Sequence, residues 1–445
     1  MAMVVKNNMQ AKNTLNQLDK NDKALAKSLK KVASGMKINS AADDASGYSI
    51  SERMDTQLRS LEQDNNNAQN GNSLLKTAEG ALSSTVDILR TLKEKVINAA
   101  NDTNTDADRA TIQKELDQAI DQIDDNANVT FNGKPLVDGS HNSEVLDPGT
   151  HTSLTNEGLH ESTTDQTFIT DLKDRSGQSL QLQNSDTLTI SYVKGGETYI
   201  FSDKIENLLF FGDIFSITND KGLSPANDIE MLIDPDGDMS KVGKDQYGQD
   251  VTTIDGKNAI TYRAVQPGLD GQIAGLTLSV TDSQGKQKRT ANVALDNFTE
   301  TIRAQDPSPD SALVLQVGTK ANQSIKTGLT DMRSVALGLK SSDGKTLQIG
   351  TQAQANAAIN VIDNALQKVL NQQTDIGSVQ SRLDYTSANL VTASENTQSS
   401  ASVIRDANMA QEMTGYTKNN VLTQAAQSML AQANQNSSSV LSLLQ

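Results

Sequence analysis

Val4, Ala11, Leu15, Leu18, Leu25, Leu29, Val32 and Met36 recur at steps of four and three once Asn8 and Asp22 fill two gaps. That spacing predicts one narrow apolar stripe on a long helix. Pro is absent from the segment, and the first Gly is Gly35, where a stop belongs. A helix of ~30 residues is ~45 Å long. It cannot bury its own stripe, and a lone amphipathic helix has no packing to hold it. The segment therefore needs a second helix.

After Gly35, the run Asn39-Ser40-Ala41-Ala42-Asp43-Asp44 supplies turn and N-cap chemistry. Ile50, Met54, Leu58, Leu61, Ala68 and Leu75 then predict a second helix, with Asn65 and Asn72 on its seam. Gly80 is read as an interruption, beyond which Leu82, Val86, Leu89, Val96 and Ala100 continue the helical spacing. Thr105 with Asp108 forms a capping-box pattern. It opens a third helix with Ile112, Leu116, Ala119, Ile123 and Ala127 on one face.

The period changes at Phe131-Asn132-Gly133-Lys134-Pro135. Leu188, Ile190 and Tyr192 alternate, Lys194-Gly195-Gly196 can turn, and Tyr199 and Phe201 alternate back, predicting a hairpin. A second hairpin is expected from Leu276, Leu278 and Val280, a turn at Ser283-Gln284-Gly285, and Val293 with Leu295. Leu313, Leu315 and Val317 suggest one more strand. Residues 140–312 thus read as one or two small β-rich domains.

From about residue 353 the helical period returns. Ile359, Ile362, Leu366, Val369, Ile376, Leu383, Leu390, Ala401 and Ile404 share one seam, on a helix about 70 Å long. Leu422, Ala426, Met429, Ala433, Val440 and Leu444 follow at a mean step near 11/3. This last segment is a partner for the opening stripe. The expected fold is mainly α with a β-rich insert. Both chain ends form a long antiparallel helical coiled coil or bundle, and one or two small β domains are inserted at its far end.

Composition sharpens the three-part division. Between residues 131 and 350 lie 22 of 28 Gly, all seven Pro and 11 of 14 Phe plus Tyr. The net charge of −16 argues against general nucleic-acid binding. The first forty residues run the other way, with Lys6, Lys12, Lys20, Lys23, Lys27, Lys30, Lys31 and Lys37 against Asp19 and Asp22. That face is either solvated or meets an acidic surface or an export machine. Cys is absent, so neither disulfides nor thiol chemistry are available. No run of about eighteen apolar residues could span a membrane. The N-terminus lacks an apolar core with a cleavage site, so a Sec-type signal is not expected. By those tests alone the chain reads as cytosolic, unless another export route uses its N-terminal segment.

Catalytic constellations are not found. The three His are His141, His151 and His160, and His160-Glu161 lacks the second His of a zinc-protease helix. Asp234-Pro235-Asp236-Gly237-Asp238 resembles a calcium loop, but its sixth position is Met239 and its twelfth Asp245. Lys194-Gly195-Gly196 lacks the strand-to-helix setting of a phosphate loop. The expectation is a non-enzyme without cofactor or metal.

Both ends resemble bacterial flagellin. The N-terminal likeness runs Leu29-Lys30-Lys31-Val32-Ala33-Ser34-Gly35-Met36-Lys37-Ile38, then Asn39 to Gly47, with Phe131-Asn132-Gly133 after the helices. The C-terminal likeness holds Val379-Gln380-Ser381-Arg382-Leu383, Ala393-Ser394-Glu395-Asn396, Ile404-Arg405-Asp406-Ala407-Asn408-Met409-Ala410, Lys418-Asn419-Asn420 and Gln424 to Gln435. Asn39, Asp43, Asp44, Gly47, Arg405, Asp406 and Asn419 carry the signature. The resemblance covers about 1–139 and 313–445, leaving 140–312 as the variable outer region.

The resemblance implies a self-assembling filament subunit for swimming motility, whose terminal helices drive polymerisation. It divides the chain into an inner-tube helix at 1–44, a helical rod at 45–139 and 313–400, an outer part at 140–312, and a C-terminal inner-tube helix at 401–445. Implied partners are further copies of the chain, an export chaperone, the type III export apparatus, and hook-associated and cap proteins. The implied location is the extracellular filament, reached without a cleaved signal. The family's innate-receptor segment falls at Leu89 to Asn98. There Thr91 and Lys93 replace usual Arg residues and Lys95 a usual Leu, while Glu94 and Glu115 are kept. Arg offers a planar fork that Thr and Lys lack, so weak activation of a Toll-like receptor 5 type receptor is expected. The alternatives are a hook–filament junction protein and a flagellin with an adhesive outer domain.

Overall fold

The computed structural model describes residues 8–146, 151–218, 223–232 and 239–443. It comprises two compact units. One is built from Met1–Gln69, Gln316–Gln323 and Tyr385–Gln445, the other from Asn70–Leu315 and Ser324–Asp384.

In the first unit, α1 (Met9–Ser34) begins where the Asn8 side chain accepts from the Ala11 amide at 3.0 Å. It ends at Gly35, whose φ of 72° is the left-handed conformation that glycine tolerates. The C-terminal helix α6 (Met409–Leu443) packs against α1. Asn8 donates to the Ala433 carbonyl at 3.3 Å, Asn419 to Ser28 at 3.3 Å, and Lys31 pairs with Glu412 at 3.0 Å. Partners descend along α6 as they ascend along α1, so the two helices are antiparallel.

Two longer helices contribute to both units: α2 (Ala45–Ala99) and α5 (Gln352–Arg405). Gly80, expected to interrupt α2, does not, and the helix runs through it without a break. The reason is energetic. Glycine costs about 1 kcal/mol in a helix interior, whereas Ala78, Leu82, Val86, Leu89 and Leu92 around it are all buried. Packing outweighs the local propensity. In the second unit α2 runs antiparallel to α5 through Asn72–Asp384 at 2.8 Å, Glu79–Gln380 at 2.9 Å and Lys93–Asp363 at 2.6 Å.

The third helix, α3 (Asp106–Ala127), starts at the predicted capping box of Thr105 and Asp108. Buried Leu116, Ile120, Ile123 and Ala127 form its inner face. Arg109, only 6% exposed, donates to the Ala99 carbonyl at 2.9 Å and the Asn101 carbonyl at 3.1 Å. The first is a carbonyl that the end of α2 leaves unpaired, and the second lies in the turn that follows, where it also accepts from the Asn104 amide.

Two short ladder strands follow, β1 (Thr130–Phe131) and β2 (Lys134–Pro135). The middle region then holds β3 (Ser153–Asn156), β4 (Thr187–Lys194), β5 (Glu197–Lys204), β6 (Ile229–Leu232), β7 (Lys241–Lys244), β8 (Asp250–Thr252), β9 (Ile260–Ala264) and β10 (Ile273–Thr281). After the short helix α4 (Arg289–Leu295) come β11 (Phe298–Ile302), β12 (Leu313–Gln316) and β13 (Ser324–Thr327). One antiparallel sheet has the order β10-β4-β5 and another β11-β3-β9-β6. A single hydrophobic cluster draws on both, including Ile190, Tyr192, Phe201, Tyr262 and Leu278.

The β4–β5 hairpin is the predicted one, turning at Gly195 and Gly196. Of the second predicted hairpin, the strand β10 and the turn at Ser283-Gln284-Gly285 are present, with Thr281 bridged to Gln287, but the return strand is not. Val293 and Leu295 lie on α4, with Leu295 buried and Val293 76% exposed. Ala291, Ala294 and Leu295 fill one helical face, so the two apolar residues mimicked a strand only by chance of spacing. Leu313 and Leu315 lie on β12, as predicted.

Two stability changes follow. Gly80→Ala faces open space and should raise stability by about 0.5–1 kcal/mol. Arg109→Leu should lower it by about 1.5–3 kcal/mol, the cost of stripping a charged hydrogen bond from the buried Ala99 carbonyl. Urea unfolding followed by circular dichroism measures both.

Candidate assembly interface

Where α1 stops and α5 gives way to α6, the two chain ends are joined through their backbones. The Lys37 amide donates to the Arg405 carbonyl at 2.8 Å, and the Ala407 amide donates to the Gly35 carbonyl at 2.8 Å. Met36 and Asp406 face each other across this bridge, and the Lys37 ammonium donates to the Val403 carbonyl at 2.9 Å. Arg405 reaches Glu52 at 3.1 Å and lies over the Tyr48 ring, 5.9 Å from its centroid. Ser402 donates to Asp406 at 2.5 Å.

The remaining signature residues shape the same elbow. Asn39 donates to the Met36 carbonyl at 3.2 Å. Asp43 accepts from the Asn39 amide at 3.3 Å and the Ser40 hydroxyl at 3.2 Å, and Lys27 lies 3.2 Å away. The Lys27 ammonium, assisted by these bonds, holds the Asp43 carboxyl below its usual 3.8. Asp44 accepts from the amides of Ser46 at 3.0 Å and Gly47 at 3.1 Å, capping α2. A Cβ at Gly47 would come within 2.7 Å of the Ile38 tip and closer still to the Asp44 carboxylate, so a side chain there would push the Asp44 cap aside.

Along the helix pair, the α1 positions withdrawn from solvent are Asn8, Ala11, Thr14, Leu18, Asn21, Leu25, Ser28 and Val32. On α6 they include Glu412, Tyr416, Asn419, Thr423, Ala426, Leu430 and Ala433. Both lines advance in steps of three and four. The line on α1 therefore runs one residue off the sequence stripe at three places, taking Thr14, Asn21 and Ser28 over Leu15, Asp22 and Leu29. Leu15 stays 53% exposed, Leu29 50%, Leu422 41% and Met429 62%. Val4 and Leu444 lie outside the described residues, and Val440 falls within α6. The seam is thin and partly polar, and two helices do not cover the whole stripe.

In the receptor segment, Leu89 is buried and Thr91 and Glu94 are exposed. Thr91 donates back to the Asp87 carbonyl at 3.0 Å. Lys93 is tied to Asp363 at 2.6 Å, and Lys95 to Glu115 at 2.8 Å. Elsewhere, His141, His151 and His160 each meet a nearby oxygen, of Ser311, Ala264 and Ser162 respectively. The calcium-like run at 234–238 lies outside the described residues. No group of His, Cys, Asp or Glu able to hold a metal occurs among the described residues. Nor is any helix there long and apolar enough to cross a membrane.

Sequence reasoning missed Lys27, Lys37, Tyr48, Glu52 and Glu412 as members of the elbow and pair. The partners of all but Lys27, which meets Asp43 within the same segment, stand hundreds of residues away in the chain, and no local spacing announces them. Arg405 and Asp406 were found through the signature alone, without a role.

Helical ends joined through a thin seam, with a β-rich region between them in the chain, define a structural protein of elongated helical elements. The family model for the bacterial flagellin N-terminal helical region matches residues 5–142, and that for the C-terminal helical region matches residues 359–444. A flagellin of Clostridium tyrobutyricum is 32% identical over 97% of this chain and 99% of its own. A flagellin of Bacillus subtilis (strain 168) is 29% identical over 99% of this chain and 100% of its own. Among solved structures, FliC from Burkholderia pseudomallei is 18% identical with a TM-score of 0.26, covering 70% of this chain and 99% of that one, a likeness too slight to define the fold. The chain belongs to the bacterial flagellin family. It is a structural subunit of the flagellar filament, not an enzyme, and flagellins polymerise with their own kind into that extracellular filament.

Gly47→Ala should disorder the elbow and lower the helix content of the monomer, read by circular dichroism. Asp43 has a depressed pKa in the folded chain. Its contribution is therefore present above pH 3.8 and is lost as pH falls through the depressed value. Asp43→Asn should abolish that acid-dependent part of the unfolding curve, and an unchanged acid limb would contradict the assignment.

Proposed function

We propose that the terminal helix pair drives polymerisation by covering its exposed apolar positions with neighbouring copies. The observation that carries this reading is the exposure of Leu15, Leu29, Leu422 and Met429 on a pair with little core of its own. Burying a Leu side chain is worth about 1.5–3 kcal/mol. Leu18, Leu25 and Val32, only half-buried in the seam, realise part of that. Contacts between subunits would realise the rest, and the elbow would fix the direction in which each pair leaves the subunit. On this reading residues 1–44 and 401–445 form the inner-tube helices, 45–139 and 313–400 the rod, and 140–312 the outer part.

Export proceeds without a cleaved signal, through a type III export apparatus with a dedicated chaperone. Hook-associated and cap proteins bound the filament at its ends. Filament rather than hook–junction function is favoured by the near full-length relatives, whose names are flagellin. An adhesive outer part at 140–312 is the second alternative, testable by mucin binding.

Activation of a Toll-like receptor 5 type receptor is weak. Two observations support this reading. Thr91 offers a short hydroxyl bonded to its own helix in place of a guanidinium. Lys95 holds Glu115, and Lys93 holds Asp363, in ion pairs within the chain. A receptor would have to break these pairs or bind around them.

Deleting residues 1–40 or 405–445 should leave a soluble monomer that forms no filaments by electron microscopy; filaments from either form would sink the paired-helix reading. In a reporter-cell titration the full chain should be much less potent than a flagellin carrying Arg at the positions of Thr91 and Lys93. Thr91→Arg with Lys95→Leu should recover potency, and equal potency of the unmodified chain would refute the receptor reading.

A further inference from the structure

We propose that a cavity between β11 and α5 binds a small zwitterion of the α-amino-acid class. The cavity has a volume of about 300 Å³ and is lined by Glu300, Arg303, Lys368 and Gln372, with Asp245 and Asp375 also on its wall. Lys368 is 5% exposed, Gln372 4%, and the Glu300 side chain 8%. Two opposite charges are therefore held away from water, Glu300 on the β11 wall and Lys368 on the α5 wall.

Among the described residues neither charge is fully satisfied. Lys368 donates to the Ala336 carbonyl at 2.7 Å, which uses one of the three donors of an ammonium. Glu300 meets Arg303 at 3.6 Å, beyond hydrogen-bond length. Among the described residues Lys368 and Glu300 form no ion pair with each other, although each feels the other's charge. Burial pushes Lys368 down to about 8 and Glu300 upward, partly offset by that mutual attraction and, for Glu300, by Arg303. Asp245 is already engaged, accepting from the amides of Tyr247 and Gln249.

The backbone is shaped for this arrangement. The register of β11 against β3 shifts between Glu300 and Ile302, and such bulges re-aim side chains beside functional sites. One turn along α5 from Lys368, Gln372 is fixed by accepting from Thr330 at 2.7 Å. A carboxylate entering the cavity would accept from Lys368, and an ammonium on the same molecule would donate to Glu300. A polyol would satisfy the hydrogen bonds but bring no charge. A simple anion or cation would relieve one end and leave the other unpaired. The volume is about ten times a water's share of the liquid, enough for a small amino acid.

The test uses the full chain kept monomeric, titrated near neutral pH with glycine and L-serine, and with acetate, ethylamine and glycerol as controls. Calorimetry and thermal unfolding provide the readouts. Saturable binding of glycine or L-serine is expected, weakened about tenfold or more by Lys368→Met and by Glu300→Gln. Lys368→Arg keeps a cation in place and covers the case in which Lys368→Met fails to fold. Retained binding there, with loss in Glu300→Gln, supports the site. No saturable response of the unmodified chain, an equal response to glycerol or acetate, or wild-type binding by Glu300→Gln overturns it.

Discussion

Two backbone hydrogen bonds between the chain ends, Lys37 to Arg405 and Ala407 to Gly35, are the constraint on which the helical part depends. Each closes a break in a helix against a break in another. A helix terminus leaves its last carbonyls unpaired, and here the carbonyls of Gly35 and Arg405 satisfy each other's neighbours. The pairing of α1 with α6 follows, because both leave the bridge in fixed directions. The side chains that reinforce it come from α1, α2 and α5: Lys27, Tyr48, Glu52 and Arg405.

The helix pair beyond that bridge is economical in apolar contact. Its seam is built from Ala, Thr, Asn and Ser as much as from Leu. Polar seam positions cost stability but fix register. A self-sufficient domain would place Leu15 and Leu29 inside. Here both stay exposed, at two-heptad spacing, as the proposed cover by neighbouring copies requires.

The second unit is organised on the opposite principle. Its helices bury long apolar faces, and its sheets share one aromatic-rich core. Charge enters that interior at few places, among them Asp186, paired with Lys288, and Glu300 and Lys368 beside β11 and α5. Burying opposite charges without pairing them is costly, and a structure that keeps them has a use for them or bears the cost.

Periodicity alone fixed the long helices, because a three-four repeat over dozens of residues has no other reading. It also located the Thr105–Asp108 cap and the β4–β5 hairpin, where local chemistry suffices. The resemblance of the ends identified the signature residues but not what they hold. Tertiary structure decided the rest. It carried α2 through Gly80, since packed leucines outweigh one glycine's cost. It made a helix of Val293 and Leu295, since a burial face is chosen by neighbours and not by two residues' spacing. It set the α1 seam on Thr14, Asn21 and Ser28, and left Leu15 and Leu29 outside. Which flank of the apolar stripe is covered depends on where the partner helix lies, and that position is held by the bridge between residues 35–37 and 405–407.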